Sequence, residues 1–207
     1  MKAAEALVDG LGLNPKDTSA AKVPDNSTTQ YHGEAELAKT IHLAPNAVVI
    51  LAHLCYSAGN SESQNPAPKF VEARLRVDNM GAGWLRTGAR AVISEVYSSG
   101  MAGWYIEALF TTHQTINALW QSAPTFKHDV QVSASIRNSW ATVQLDPDTT
   151  KTGNEHFGRA ISGDMTLLSD AVIGSAVPSP YGRVTLAQPG PARIAGLEIL
   201  LRRLRLR

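Results

Sequence analysis

Two short apolar runs, 47–54 (AVVILAHL) and 90–96 (RAVISEV), separated by one helix-length segment, constrain this chain more than any other feature. Runs of under ten residues that are apolar nearly throughout read as strands covered on both faces rather than as helices. The segment between them opens at Pro66 or Pro68, residues suited to a first helical turn. It runs to about Arg86 and stops near Gly88. Strand, helix and strand in that order predict a neighbouring or near-neighbouring parallel pair joined by a right-handed crossover helix. Gly81 and Gly83 weaken the helix, so close packing against the sheet is the expected reason for them.

The flanking segments extend this pattern. Residues 10–33 are rich in turn formers and read as an extended loop. Residues 34–41 (EAELAKTI) read as a short helix, with Leu37 and Ile41 one turn apart. Residues 101–123 read as one long amphipathic segment closed by Pro124, with Trp104, Phe110 and Trp120 in the core. Short alternating stretches in 130–145 predict edge strands, followed by a turn-rich loop through Arg159. SGDMTLLSDAV (162–172) reads as a helix capped by Ser162 or Asp164. The whole predicts an α/β class with a mostly parallel sheet.

Composition narrows the function. The 207 residues carry a net charge of +1, with 43% hydrophobic and 18% charged, which suits a globular domain and argues against nucleic acid as a partner. A single cysteine excludes an intrachain disulfide and a cysteine-rich zinc site. No apolar run reaches the roughly 20 residues of a membrane helix, and the first residues lack the apolar stretch of a signal peptide. No phosphate-binding or dinucleotide glycine fingerprint occurs, and no metal or other cofactor is expected. Asp146-Pro147-Asp148 has the residues for a cation, but a capped turn explains them more simply.

Residues 177–207 read as a proline-rich linker and a basic tail. The tail holds five arginines against Glu198, leaving fourteen basic and seventeen acidic residues in 1–191. Ile194, Leu197, Leu200, Leu201 and Leu204 form one helical stripe. Three readings stand: a terminal helix docked on the domain, an interfacial helix on anionic lipid, or an appendage foreign to the fold. With no aromatic residue and only about four turns, membrane contact by the tail is not expected.

The chemistry concentrates at Cys55, where the first apolar run opens into YSAGNSE. In parallel α/β sheets binding and catalytic groups collect at the carboxyl ends of strands. Cys55 is thus a candidate nucleophile, with a buried inert thiol as the equal alternative. The small polar residues Ser57, Gly59, Asn60 and Glu62 are candidate substrate contacts.

An apolar strand ending in C-Y-S-x-G, then a helix, then G-A-R-A-V-I resembles the caspase-like fold of clostripain, gingipain and CHAT-domain peptidases. The likeness implies a three-layer caspase-like domain over 1–176, with Cys55 as nucleophile and its N–H contributing to an oxyanion hole. GLNP (12–15), YHGE (31–34), 43–62, 76–93 and 108–116 are also similar to a group of uncharacterised, mostly exported bacterial proteins of this fold. That likeness runs to about residue 174 and leaves localisation open.

The resemblance implies a histidine after the strand preceding the cysteine strand, in an H-G motif upstream of GLNP. The sequence contains no such segment, so the domain reads as N-terminally truncated. Two substitutes remain. His32 has the H-G neighbour without a buried strand before it. His53 lies two residues before Cys55, on one strand face about 7 Å away, too far for a direct hydrogen bond. The expected function is a cysteine peptidase-like domain, weakly active or inactive as the chain stands, taking a peptide or protein if active. The alternative is a non-catalytic binding or structural module.

Overall fold

The computed structural model describes residues 10–13, 30–61, 66–98 and 100–174. Glu62 and the calls on 177–207 lie outside them. Within them the chain is α/β, with a five-stranded mixed sheet and a separate two-stranded one.

The small sheet pairs β1 (Gly10–Leu13) with β2 (Gln30–Gly33) in antiparallel register. The expectation of loop throughout 10–33 is corrected at these two segments. Helix α1 (Glu34–Thr40) follows, with Glu34 and Glu36 in its first turn and Lys39 in its last, complementing the helix dipole.

The larger sheet begins as the apolar runs require. Strand β3 (Val48–Ala52) pairs in parallel with β4 (Ala91–Glu95), and α2 (Phe70–Arg86) connects them. Gly88, at φ +108°, adopts a left-handed conformation just beyond α2 that favours glycine. Gly81 is needed for the expected reason, because a Cβ there would overlap Ser162 of the sheet. Gly83 instead admits α1, through Leu37 and Glu34.

Beyond β4 the sheet is antiparallel, which corrects the expectation of a mostly parallel one. Its order is β3-β4-β7-β6-β5, with β5 (Gln131–Ala134), β6 (Thr142–Leu145) and β7 (Arg159–Gly163). Only β3–β4 is parallel; β4–β7, β7–β6 and β6–β5 are antiparallel. The β5–β6 connection is too short for a crossover, so those strands reverse direction. The predicted helix from Ser162 is corrected too. Arg159–Gly163 is a wholly buried interior strand, and only Ser169–Ile173 (α5) is helical.

The long amphipathic segment divides into α3 (Met101–Thr111) and α4 (Ile116–Gln121). Thr111 and Thr112 donate their hydroxyls back to the carbonyls of Glu107 and Ala108. His113 takes φ +52°, and Thr115 caps α4 by accepting from Ala118 N. The freed backbone pairs with the strand of chain before α5, through Ile116 N to Leu167 O and Ser169 N to Gln114 O. Tertiary pairing has replaced a helical turn.

Side chains of β4 alternate between two cores. Ala91 and Ile93 pack with Tyr105, Leu109, Leu119 and Trp120 of α3 and α4. Val92 packs with Met80 and Leu85 of α2. Trp120 is fully buried and Trp104 packs at the core's margin, but Phe110 is 63% exposed and does not belong to the core. Among the described residues no helix is long and apolar enough to cross a membrane.

Candidate active site

The strand directions bring one set of chain segments to one edge of the sheet. The C-terminal ends of β3, β4 and β6 and the N-terminal end of β7 meet there. Cys55 sits in the turn directly after β3 and is exposed, so the buried inert thiol is not what the structure shows.

Two left-handed residues flank the cysteine, His53 at φ +55° and Tyr56 at φ +69°. Non-glycine residues seldom adopt this conformation, and it persists only where surrounding contacts enforce it. Here they do. His53 N donates to Glu95 O at 3.0 Å, tying the turn to the end of β4. Tyr56 N donates to Asn60 Oδ1 at 2.9 Å, and Ser57 Oγ donates to Leu54 O at 2.7 Å. Ala58 is fully buried in a cluster with Ala73, Val77 and Phe157.

Arg76, on α2, grips the loop from beneath. Its Nη1 donates to Asn60 O and Ser61 Oγ, both at 2.8 Å, and its Nη2 meets Glu72 Oε1 at 2.5 Å. The same guanidinium lies over the Tyr56 ring, 4.9 Å from its centroid. Gly59 is required, since a Cβ there would sit 2.9 Å from Ala73 Cβ at φ +96°.

These contacts change the reading of the predicted substrate residues. Ser57 and Asn60 are buried; Ser57 Oγ and Asn60 Oδ1 bond within the loop, and Asn60 Nδ2 donates to Ser61 O and to the Tyr97 hydroxyl. Gly59 is buried against α2. Ser57 and Gly59 shape the cysteine loop from within, and Asn60 also ties it to Tyr97.

Neither candidate base hydrogen-bonds the thiol. His53 lies beyond the end of β3, and its left-handed backbone breaks the strand geometry on which the expected common face depended. His32 is ion-paired with Glu36 at 2.8 Å, on the α1 side of the molecule. Helix α2 measures the separation. Its Ala73 meets Gly59 of the cysteine loop, whereas its Gly83 meets Glu34, two residues after His32. Ten residues of helix separate those contacts by about 15 Å. Among the described residues no histidine hydrogen-bonds Cys55; His113 pairs with Asp170, and His156 Nδ1 with Asp148 O.

A cavity of about 420 Å³ opens beside the cysteine loop, lined by Glu95, Tyr97, Thr125, Lys127, Asp148 and Arg159 among others. Tyr97 joins the two features: Asn60 Nδ2 donates to its hydroxyl at 3.4 Å, and its ring lines the cavity. Burial raises the Tyr97 pKa above its ordinary value; Asn60 opposes this, and the charges of Cys55 and Glu155 add to it.

The cavity floor is a buried charge network. Arg159 Nε donates to Glu95 Oε1 at 2.7 Å and Nη1 to Asp146 Oδ2 at 2.5 Å. Its Nη2 reaches Tyr105 Oη and Trp120 O, with the guanidinium over the Trp120 ring. Burial acts to lower the Arg159 pKa, but Tyr105 and Glu95 outweigh it and hold the guanidinium above its usual value. Burial likewise drives the Tyr105 hydroxyl well above its ordinary range, against the opposing charge of Arg159.

Asp146-Pro147-Asp148 leads from β6 into a turn closed by Lys151 N donating to Asp148 O at 3.0 Å. Asp146 accepts from Lys127 N, Asp129 N and Arg159, while Asp148 accepts from Thr150 and pairs with Lys127 Nζ at 2.9 Å. Among the described residues no group of three His, Cys, Asp or Glu is arranged to hold a metal. Sequence reasoning missed Glu95, Tyr97 and Arg159. The available signal was Glu95 itself, a carboxylate inside an otherwise apolar strand, since buried charges are normally paired.

No family model, curated protein or solved structure matches this chain.

Proposed function

We propose that this is a cysteine peptidase-like domain of the caspase-like class, helices packed on a central sheet in three layers, with Cys55 at the nucleophile position. The observation that carries this reading is the placement of Cys55. It is exposed, three residues past the end of β3, on a loop that Arg76 holds and that Asn60 links to Tyr97, a lining residue of a cavity sized for a side chain. In the reaction, the Cys55 thiolate attacks a peptide carbonyl and the backbone N–H of Cys55 donates to the developing oxyanion. The amine leaves with a proton from a general acid, and water then releases the acyl group.

The described residues bring no histidine to the thiol for the proton transfers. On this reading the chain as it stands is weakly active or inactive. The second reading, a non-catalytic binding module, rests on the cavity, which is fully formed without a reaction.

The test is cleavage of a proteome-derived peptide mixture by the full chain, read by mass spectrometry against Cys55→Ser. Slow cleavage lost in Cys55→Ser supports the peptidase reading. Equal background in both proteins, with peptides retained on each, overturns it in favour of the binding module.

A further inference from the structure

We propose that Asn60 is a positioning residue for Cys55, a role that rests on the reading of Cys55 as the nucleophile: its side-chain amide fixes the peptide that follows the thiol. The N–H of that peptide belongs to Tyr56, and Asn60 Oδ1 accepts it at 2.9 Å. Tyr56 is left-handed at φ +69°, a conformation that persists in a tyrosine only where contacts enforce it. The bond to Asn60 therefore sets the course of the backbone on the C-terminal side of the thiol. It also settles which donors remain. Tyr56 N, Ser57 N and Gly59 N are taken by Asn60 Oδ1, Leu54 O and Tyr56 O, whereas Cys55 N donates to no acceptor among the described residues. An acyl oxygen brought to the thiol finds its donor at Cys55 N, on the backbone that Asn60 holds.

Acceptors on the far side decide which way the amide faces. Asn60 Nδ2 donates to Ser61 O at 2.9 Å and to the Tyr97 hydroxyl at 3.4 Å. Rotating the amide by half a turn would set Nδ2 against the Tyr56 N–H, donor against donor, and Oδ1 against the Ser61 carbonyl, acceptor against acceptor. Asn60 is 1% exposed, so water relieves neither mismatch, and a buried polar group left without its partner is costly. The backbone of the same residue is fixed independently, because Arg76 Nη1 on α2 donates to Asn60 O at 2.8 Å. One residue thus refers the peptide beside the thiol both to α2 and to Tyr97, two residues beyond β4. Arg76 holds the loop as a whole; Asn60 adds direction at the residue next to the thiol.

The experiment compares two reactions of Cys55 in the full chain. With p-nitrophenyl acetate the thiolate forms a bond to the acyl carbon and the ester C–O bond breaks, p-nitrophenolate leaving with the electron pair, through an oxyanion that the Cys55 N–H stabilises. With iodoacetamide the thiolate displaces iodide from carbon and no oxyanion forms. The ratio of the two rates, each corrected by Cys55→Ser, is independent of the thiolate fraction and needs no histidine. Asn60→Ala should lower the ratio of acylation to alkylation about tenfold. Tyr97→Phe, which leaves Ser61 O as a partner for Nδ2, should lower it about two- to threefold. Equal falls in both reactions, or an unchanged ratio in folded Asn60→Ala, overturn the proposal, since a residue that only staples the loop moves both rates together. Where Asn60→Ala does not fold, an unchanged ratio in Tyr97→Phe overturns it. Peptide cleavage by the parent with an unchanged ratio in the variants removes the positioning role alone; a lowered ratio without any peptide cleavage keeps that role and counts against the peptidase reading.

Discussion

Glu95 and Arg159 stand directly opposite each other across the antiparallel β4–β7 pair, Oε1 and Nε 2.7 Å apart, with both side chains almost wholly buried. Removing one partner of such a pair leaves an uncompensated charge in the interior. Arg159→Met strands two carboxylates, Glu95 and Asp146, and should destabilise the domain by about 3–5 kcal/mol. Glu95→Gln keeps an acceptor for Tyr105 and Thr125 and should cost less. Denaturant midpoints of the two variants check the order; Arg159→Met the milder would show that the network does not hold this edge.

Arg76 holds the cysteine loop through its donors to Asn60 O and Ser61 Oγ. Arg76→Met keeps the bulk and removes these bonds. Amide exchange of residues 56–61 should accelerate while that of β4 stays protected, because a local opening is now cheaper than global unfolding. Uniform acceleration through both segments would mean that Arg76 supports the whole domain instead.

Cys55 is the one thiol in the chain and is exposed. One equivalent of an aromatic disulfide reagent should react with the native protein, without denaturant. Reaction only after unfolding would place the thiol in the interior.

Asp148 provides an acid-sensitive contact. Hydrogen bonding from Thr150, with Lys127 beside it, lowers its pKa from 3.8 to about 2. The folded state thus binds this proton less readily than the unfolded chain. The contribution to stability is complete above pH 3.8 and is lost as pH falls toward 2. Urea midpoints measured from pH 5 downward should fall in this window, and less steeply in a Thr150→Val, Lys127→Met double variant. Asp164 shifts in the same direction, chiefly through Thr166, and contributes to the same decline.

Gly163 ends β7 at φ +122°, and a Cβ there would overlap the backbone of Arg90 and Ala91. Backbone atoms of a central strand cannot rotate away as a side chain can. Gly163→Ala should therefore cost at least about 1–3 kcal/mol, read as a lowered thermal midpoint. An unchanged midpoint would mean that β4 and β7 separate freely at this end.

Local pattern determined the β3–α2–β4 unit and the position of Cys55. Each is encoded in contiguous residues: two apolar runs of strand length, a helix-length segment between them that starts at Phe70 rather than at Pro66 or Pro68, and a turn-rich segment at the strand's end. The same logic failed where partners are distant in sequence. Arg159–Gly163 is a strand because β4 and β6 lie on either side of it, a fact no local window contains. Helices α3 and α4 separate because residues 167–169 take over the backbone bonds of 114–116. The site divides in the same way. The cysteine was visible as a residue type at a strand end, but Glu95, Tyr97 and Arg159 acquire their roles only when β4 and β7 pair. Pairing brings the carboxylate and guanidinium together, and burial turns an ordinary ion pair into the floor of a cavity. Charge and hydropathy along the chain state what each residue can do; which charges meet, and how dry their meeting place is, is set by the tertiary fold.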